Sequence, residues 1–149
     1  MLQGLLLLMI SFQVIVINAQ VYAPVTLLVI LGVLIWIVGF LCEAIGDYQL
    51  YTFMKNPAHH GQLMTHGLWR FTRHPNYFGE ITLWWGMYII ACTAPFGLVA
   101  IISPLTITTL LLFVSGIPLT EKLMAQNPAF AQYKARTSML IPWWPKKSD

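Results

Sequence analysis

"PVTLLVILGVLIWIVGFLCEAIG", residues 24–46, decides the class of fold. A single charge, Glu43, lies near its far end. A helix that crosses the hydrocarbon core of a bilayer needs about 20 mostly apolar residues, and this stretch supplies them. Pro24 suits the first turn of such a helix, where a missing N–H costs nothing. The rest of the chain has the same character. It has 149 residues, 58% of them hydrophobic and 9% charged, with a mean hydropathy of +0.70. A soluble domain carries about a quarter charged residues, so this composition could not cover a water-facing surface. The expected class is all-α integral membrane, with residues 1–149 forming one membrane domain and the lipid bilayer as its first partner.

Upstream, "MLQGLLLLMISFQVIVIN" (1–18) reads as a further span. No Lys or Arg precedes its apolar run, which argues against a signal peptide. Downstream, 47–78 is a polar interval. Its start, "DYQLYTFMKNP", continues the helical pattern to Asn56-Pro57, where the residue before proline is pushed out of helical geometry, and "AHHGQLMTHG" then reads as loop. The apolar stretch 80–116 is interrupted by "TAPFG" (93–97). Pro95 and Gly97 predict a tight turn there, hence two spans of about 79–93 and 97–116 joined as a hairpin. Ser103-Pro104 and Ser115-Gly116-Ile117-Pro118 predict kinks or a helix end. The tail, 117–149, reads as an interfacial C-terminal helix with Trp143 and Trp144 at headgroup level.

About four transmembrane helices follow, and charge tests them. All eight Lys and Arg fall within 47–79 or after 117. With four spans those two regions share a side, and the positive-inside rule makes it the cytoplasm, with both termini there. The expected location is a bacterial inner membrane. The net charge of +3 is accounted for by these topology signals, so no nucleic acid partner is expected. Cys42 and Cys92 come near opposite membrane faces, too far apart for a disulfide.

The cytoplasmic boundary holds the chemistry. "GLWRFTRHPNYFGE", residues 67–80, packs Arg70, Arg73, His74, Asn76, Tyr77 and Glu80 against an uncharged helix. If a helix starts at Pro75, then Arg73, Asn76, Tyr77, Glu80 and Trp84 form one stripe at i+3 and i+4 spacing. A helix start favours phosphate or carboxylate, and Arg70 and Arg73 add forked donors for such groups. On residues 24–57, Glu43, Asp47 and Tyr51 share a face, where carboxylates close to hydrocarbon need pairing or hydration. Glu121, Lys122, Tyr133, Lys134 and Arg136 return to the same boundary. The pattern points to a cytosol-facing cofactor pocket. The competing reading makes the arginines anchors that snorkel to headgroups, with Glu80 pairing to Arg73 or Arg136. His59, His60, His66 and His74 lack metal-ligand spacing, so no metal is expected.

"GLWRFTRHPNYFGE…WWG", with "GDYQL" before it and "GIPLTEK…YKARTSMLIP" after it, resembles the C-terminal half of the steroid 5-alpha-reductase-like membrane proteins, and their bacterial branch most of all. That superfamily includes NADPH-dependent reductases and the isoprenylcysteine carboxyl methyltransferases, which use S-adenosylmethionine. The resemblance implies a cofactor site on Asp47, Arg70, Arg73, His74, Asn76, Tyr77, Glu80 and Tyr133, with no catalytic residue assigned. Asn76 and Glu80 match the reductases' Asn-x-x-Gly-Glu segment, and Arg73-His74 matches a pair found in both the sterol reductases and the methyltransferases. The departures are Glu43, where the reductases have asparagine, and the absence of their phosphate-gripping basic residues, for which Lys55 is a loose candidate. Relatives also carry spans ahead of the region matching 1–20, bearing a glutamate and a tyrosine. In residues 1–40 the only ionisable side chain is Tyr22. Three readings follow. The first is an NADPH-dependent reductase of an activated C=C bond in a lipid-like substrate. The second is an S-adenosylmethionine-dependent methyltransferase. The third is a truncated or accessory protein without chemistry.

Overall fold

The computed structural model describes residues 2–20 and 24–147. Tyr22 and the rest of 21–23 lie outside the described residues. Among those described, regular structure is helical: α1 (Leu2–Asn18), α2 (Leu27–Lys55), α3 (Pro75–Ala91), α4 (Ile102–Thr109), α5 (Ile117–Met124) and α6 (Phe130–Arg136).

Thr26 caps α2, its hydroxyl accepting from the Val29 N–H at 3.3 Å, the ordinary way to satisfy a free first-turn donor. The helix then runs unbroken for 29 residues, about 43 Å, and stops where Asn56 meets Pro57. The expected helical continuation from 47 to Asn56-Pro57 is present, so Asp47 and Tyr51 stand on helix. α2 and the helical run Gly97–Met124 are each long and apolar enough to cross a membrane. Only 11% of the apolar window of α2 is buried within the protein, so its leucines and valines face outward. α1 and α3 have 17 residues each, about 25 Å against a hydrocarbon core of about 30 Å.

α2 and α3 form an antiparallel pair along a glycine seam. Gly32 meets Gly86, Gly39 meets Gly79, and Gly46 meets Pro75 and Asn76. The glycines recur every seven residues on each helix, the repeat that keeps one face turned to a partner. A Cβ on Gly39 would strike the backbone of Leu83, and one on Gly79 the backbone nitrogen of Glu43. Such close approach is how helices associate where burial of apolar surface gives no advantage over lipid.

The expected span 97–116 is broken into pieces. A 3-10 turn (97–101) leads into α4, a wide π turn occupies 110–114, and α5 continues to Met124. Ser103 ties this segment to α1: its hydroxyl donates to the Met9 carbonyl at 2.8 Å and accepts from the Gln13 N–H at 3.1 Å. It is thus inserted into the α1 hydrogen-bond ladder between residues i and i+4. The TAPFG turn is present, with Phe96 left-handed (φ 61°) and the Gly97 N–H on the Ala94 carbonyl. The tail is a seven-residue α6 followed by an extended strap. The strap pairs Thr72 with Ser138 and places the Trp143 N–H on the Phe71 carbonyl at 3.0 Å.

Candidate functional site

The end of the α2–α3 pair where Gly46 meets Pro75 is held by a chain of hydrogen bonds through Trp69, which is 2% exposed. Its indole N–H donates to the Gly46 carbonyl at 3.0 Å, and its own carbonyl accepts the buried Tyr133 hydroxyl. The 67–70 turn is thereby clamped between α2 and α6. Burial pushes the Tyr133 phenol pKa up, with Arg73 opposing, so Tyr133 stays neutral and serves as a strut.

Arg73 sits just before α3 and is buried. Its Nε and Nη2 donate to Glu121 Oε1 at 2.8 and 2.6 Å, and its Nη1 donates to the Lys134 and Thr137 carbonyls. Glu121 Oε2 accepts from Lys134 Nζ at 2.8 Å. Arg73 thus joins the start of α3 to α5, α6 and the strap. The expected role of Arg73 as a free anion grip is replaced by this tie: its strongest donors are engaged by a carboxylate from the same chain. Among the described residues Glu80 pairs with neither Arg73, which is taken by Glu121, nor Arg136.

His74 is 1% exposed and caps no N–H with its side chain. Its ring stacks on Tyr77 with centroids 5.3 Å apart. Nε2 lies 3.6 Å from Glu121 Oε1, too far for a hydrogen bond, and has no other partner. Burial lowers its pKa from 6.5 to about 4, with Glu121 opposing and Arg73 adding a smaller push downward. The site therefore holds a neutral imidazole with an unsatisfied nitrogen, an arrangement that invites a ligand group.

Beside it, Asn76 Nδ2 donates to Asp47 Oδ1 at 3.0 Å, while Asn76 Oδ1 and Glu43 Oε2 are buried atoms without partners. Glu43, Asp47 and Glu80 have no Lys or Arg partner among the described residues. The expected stripe divides: Arg73 precedes the helix and Asn76 turns to Asp47 on α2. Arg70 and Tyr133 line a separate cleft of about 650 Å³, which none of Asp47, Asn76, Tyr77 or Glu80 reaches. Of the other histidines, His59 stacks on Phe53 and His66 meets it edge-on. No group of three His, Cys, Asp or Glu side chains suited to a metal occurs among the described residues.

Glu121 was expected at this boundary, but its pairing with Arg73, 48 residues away, is set only by the packing of α5 against the start of α3. Trp69 carries no motif of its own, and its two hydrogen bonds alone reveal its part in the site.

The chain is 40% identical over 78 residues to methanethiol S-methyltransferase 1 of Bradyrhizobium diazoefficiens. That match covers 51% of this chain and 25% of the relative, so the chain spans about a quarter of that relative's length. No solved structure matches it. Residues 1–137, nearly the whole chain, match the family described as "Protein of unknown function (DUF1295)", and the chain belongs to that family.

Proposed function

We propose that this chain forms the cofactor-binding part of a membrane methyltransferase that uses S-adenosylmethionine, with four spans, both termini cytoplasmic and a thiol-bearing acceptor. The observation that carries this reading is the 40% identity to a methanethiol methyltransferase. It displaces the reductase expectation as the leading reading, and the charge pattern supports the change. Glu43, Asp47 and Glu80 are carboxylates without basic partners among the described residues. S-adenosylmethionine brings a sulfonium and an ammonium, which such carboxylates attract. NADPH brings several phosphate charges, which they repel, and Arg73, the expected counter-charge, is engaged by Glu121.

When bound, the cofactor supplies an electrophilic methyl group. The chain's own residues bind and orient it. Asn76, held by Asp47, offers a free amide oxygen, and Tyr77 and His74 present a stacked pair of rings at the start of α3. His74 Nε2 offers a hydrogen-bonding group, and burial, which lowers its pKa to about 4, makes it a weak base toward a thiol.

The test is a thermal-shift titration of the detergent-purified chain with each cofactor, followed by transfer of labelled methyl to methanethiol and longer thiols. A saturable shift with S-adenosylmethionine alone is expected, about 2.7 kcal/mol at a hundredfold excess over Kd. A shift with NADPH alone would restore the reductase reading.

A further inference from the structure

The cleft of about 650 Å³ between the 61–65 loop and the tail plays no part in the proposed cofactor site. Its wall includes Arg70, Arg136, Gln132, Thr65 and Pro145, and none of its lining residues is acidic. Both arginines are exposed, and neither is paired with a carboxylate among the described residues. Two unengaged guanidinium forks on one wall favour a phosphate, which accepts paired N–H bonds. Gln132 and Thr65 add neutral donors to the same space.

The source of that phosphate is indicated by the strap. Pro145 forms part of the cleft wall. It is preceded by Trp143 and Trp144, 70% and 72% exposed, and followed by Lys146, whose N–H is bound to the Arg136 carbonyl at 2.9 Å. Exposed indoles next to cations are the composition of a membrane–water interface. We propose that this cleft seats the phosphate of an anionic phospholipid headgroup, with Trp143 and Trp144 lying in the headgroup layer beside it. Thr137 also lines the cleft, and its carbonyl holds Arg73. A seated lipid would therefore brace the tie between Arg73 and Glu121 and raise the melting temperature.

The experiment titrates the delipidated, detergent-purified full chain with phosphatidylglycerol, phosphatidylcholine or inorganic phosphate, reading the melting temperature and counting bound lipids by native mass spectrometry. Phosphatidylglycerol should stabilise saturably. The double variant Arg70→Gln/Arg136→Gln should weaken its apparent Kd by on the order of tenfold or more, the scale of losing charge-assisted bonds. The charge-matched control Lys55→Gln/Lys122→Gln, outside the cleft, should leave Kd nearly unchanged. If the double variant fails to fold, Arg70→Lys/Arg136→Lys keeps the charge and should still weaken binding through loss of the forks. Equal losses in variant and control, or equal stabilisation by phosphatidylcholine, would overturn the proposal. So would equal stabilisation by inorganic phosphate, or displacement of the lipid by S-adenosylmethionine, because each assigns the cleft to a soluble ligand. None of these readouts depends on methyl transfer, so the proposed function and this site can fail separately.

Discussion

Arg73 and Glu121 meet with side chains 6% and 13% exposed, so each leaves a poorly hydrated charge if the other is removed. Glu121→Ala should cost about 3–5 kcal/mol, while Arg73→Met/Glu121→Met should lie much closer to wild type, because the price of a buried pair is mainly its desolvation. Lys134, 55% exposed on the far side of the same carboxylate, should cost less than about 1 kcal/mol when replaced by alanine. Chemical denaturation in detergent checks the set; a double variant as weak as Glu121→Ala would show that the pair adds packing beyond its charges. His74 gives a pH signature. Its folded pKa of about 4 lies below the ordinary 6.5, so the unfolded chain binds the extra proton between those values. The stability from this group is complete above pH 6.5 and declines as pH falls toward 4, by about 3 kcal/mol in all. His74→Phe keeps the stacking on Tyr77 and should flatten that slope. If wild type and variant decline in parallel, the slope belongs to carboxylates. The polar types clustered in 67–80 were legible from the order of residues; that Arg73 faces inward was not, because its partner arrives from 48 residues away.

At the scale of elements, the glycine seam sets where the site stands. Gly39 and Gly79 let backbones touch at a point one to two turns from Asp47 and Asn76. Gly79→Val must push α3 away from the Glu43 backbone and should destabilise the protein by about 1–3 kcal/mol or more, separating the Asn76–Asp47 pair as well. A melting temperature within a few degrees of wild type would show that the two helices can slide without loss. The reach of α2 to Lys55 was legible in the continued apolar pattern and in Asn56-Pro57. The breakup of 97–124 was legible only as proline and glycine positions. The π turn at 110–114 was not legible at all.

For the whole molecule, the distribution of charge predicts topology. Reporter fusions at the C-terminus should behave as cytoplasmic, and an insertion at Pro95 should behave as external. The reverse at either position would remove the two-sided arrangement on which the proposed site depends. The outward apolar surface of α2 fits a lipid bilayer, and the cationic strap beside Trp143 and Trp144 is where the proposed headgroup contact would lie.

Composition, the apolar runs and the punctuation by proline and glycine determined that the chain is helical, where α2 ends and α3 begins, and in which segments its polar groups gather. These are local properties: hydropathy over about 20 residues, or the φ preference of one residue. The tertiary structure decided which polar groups remain open to a ligand. Eight site residues expected to share one pocket divide into a buried tie, a neutral histidine, an unpaired carboxylate face and a separate arginine-lined cleft. Pairing between charges depends on distance in space, and the partners here come from α2, α3, α5, α6 and the strap, so only the packing of those segments could assign them.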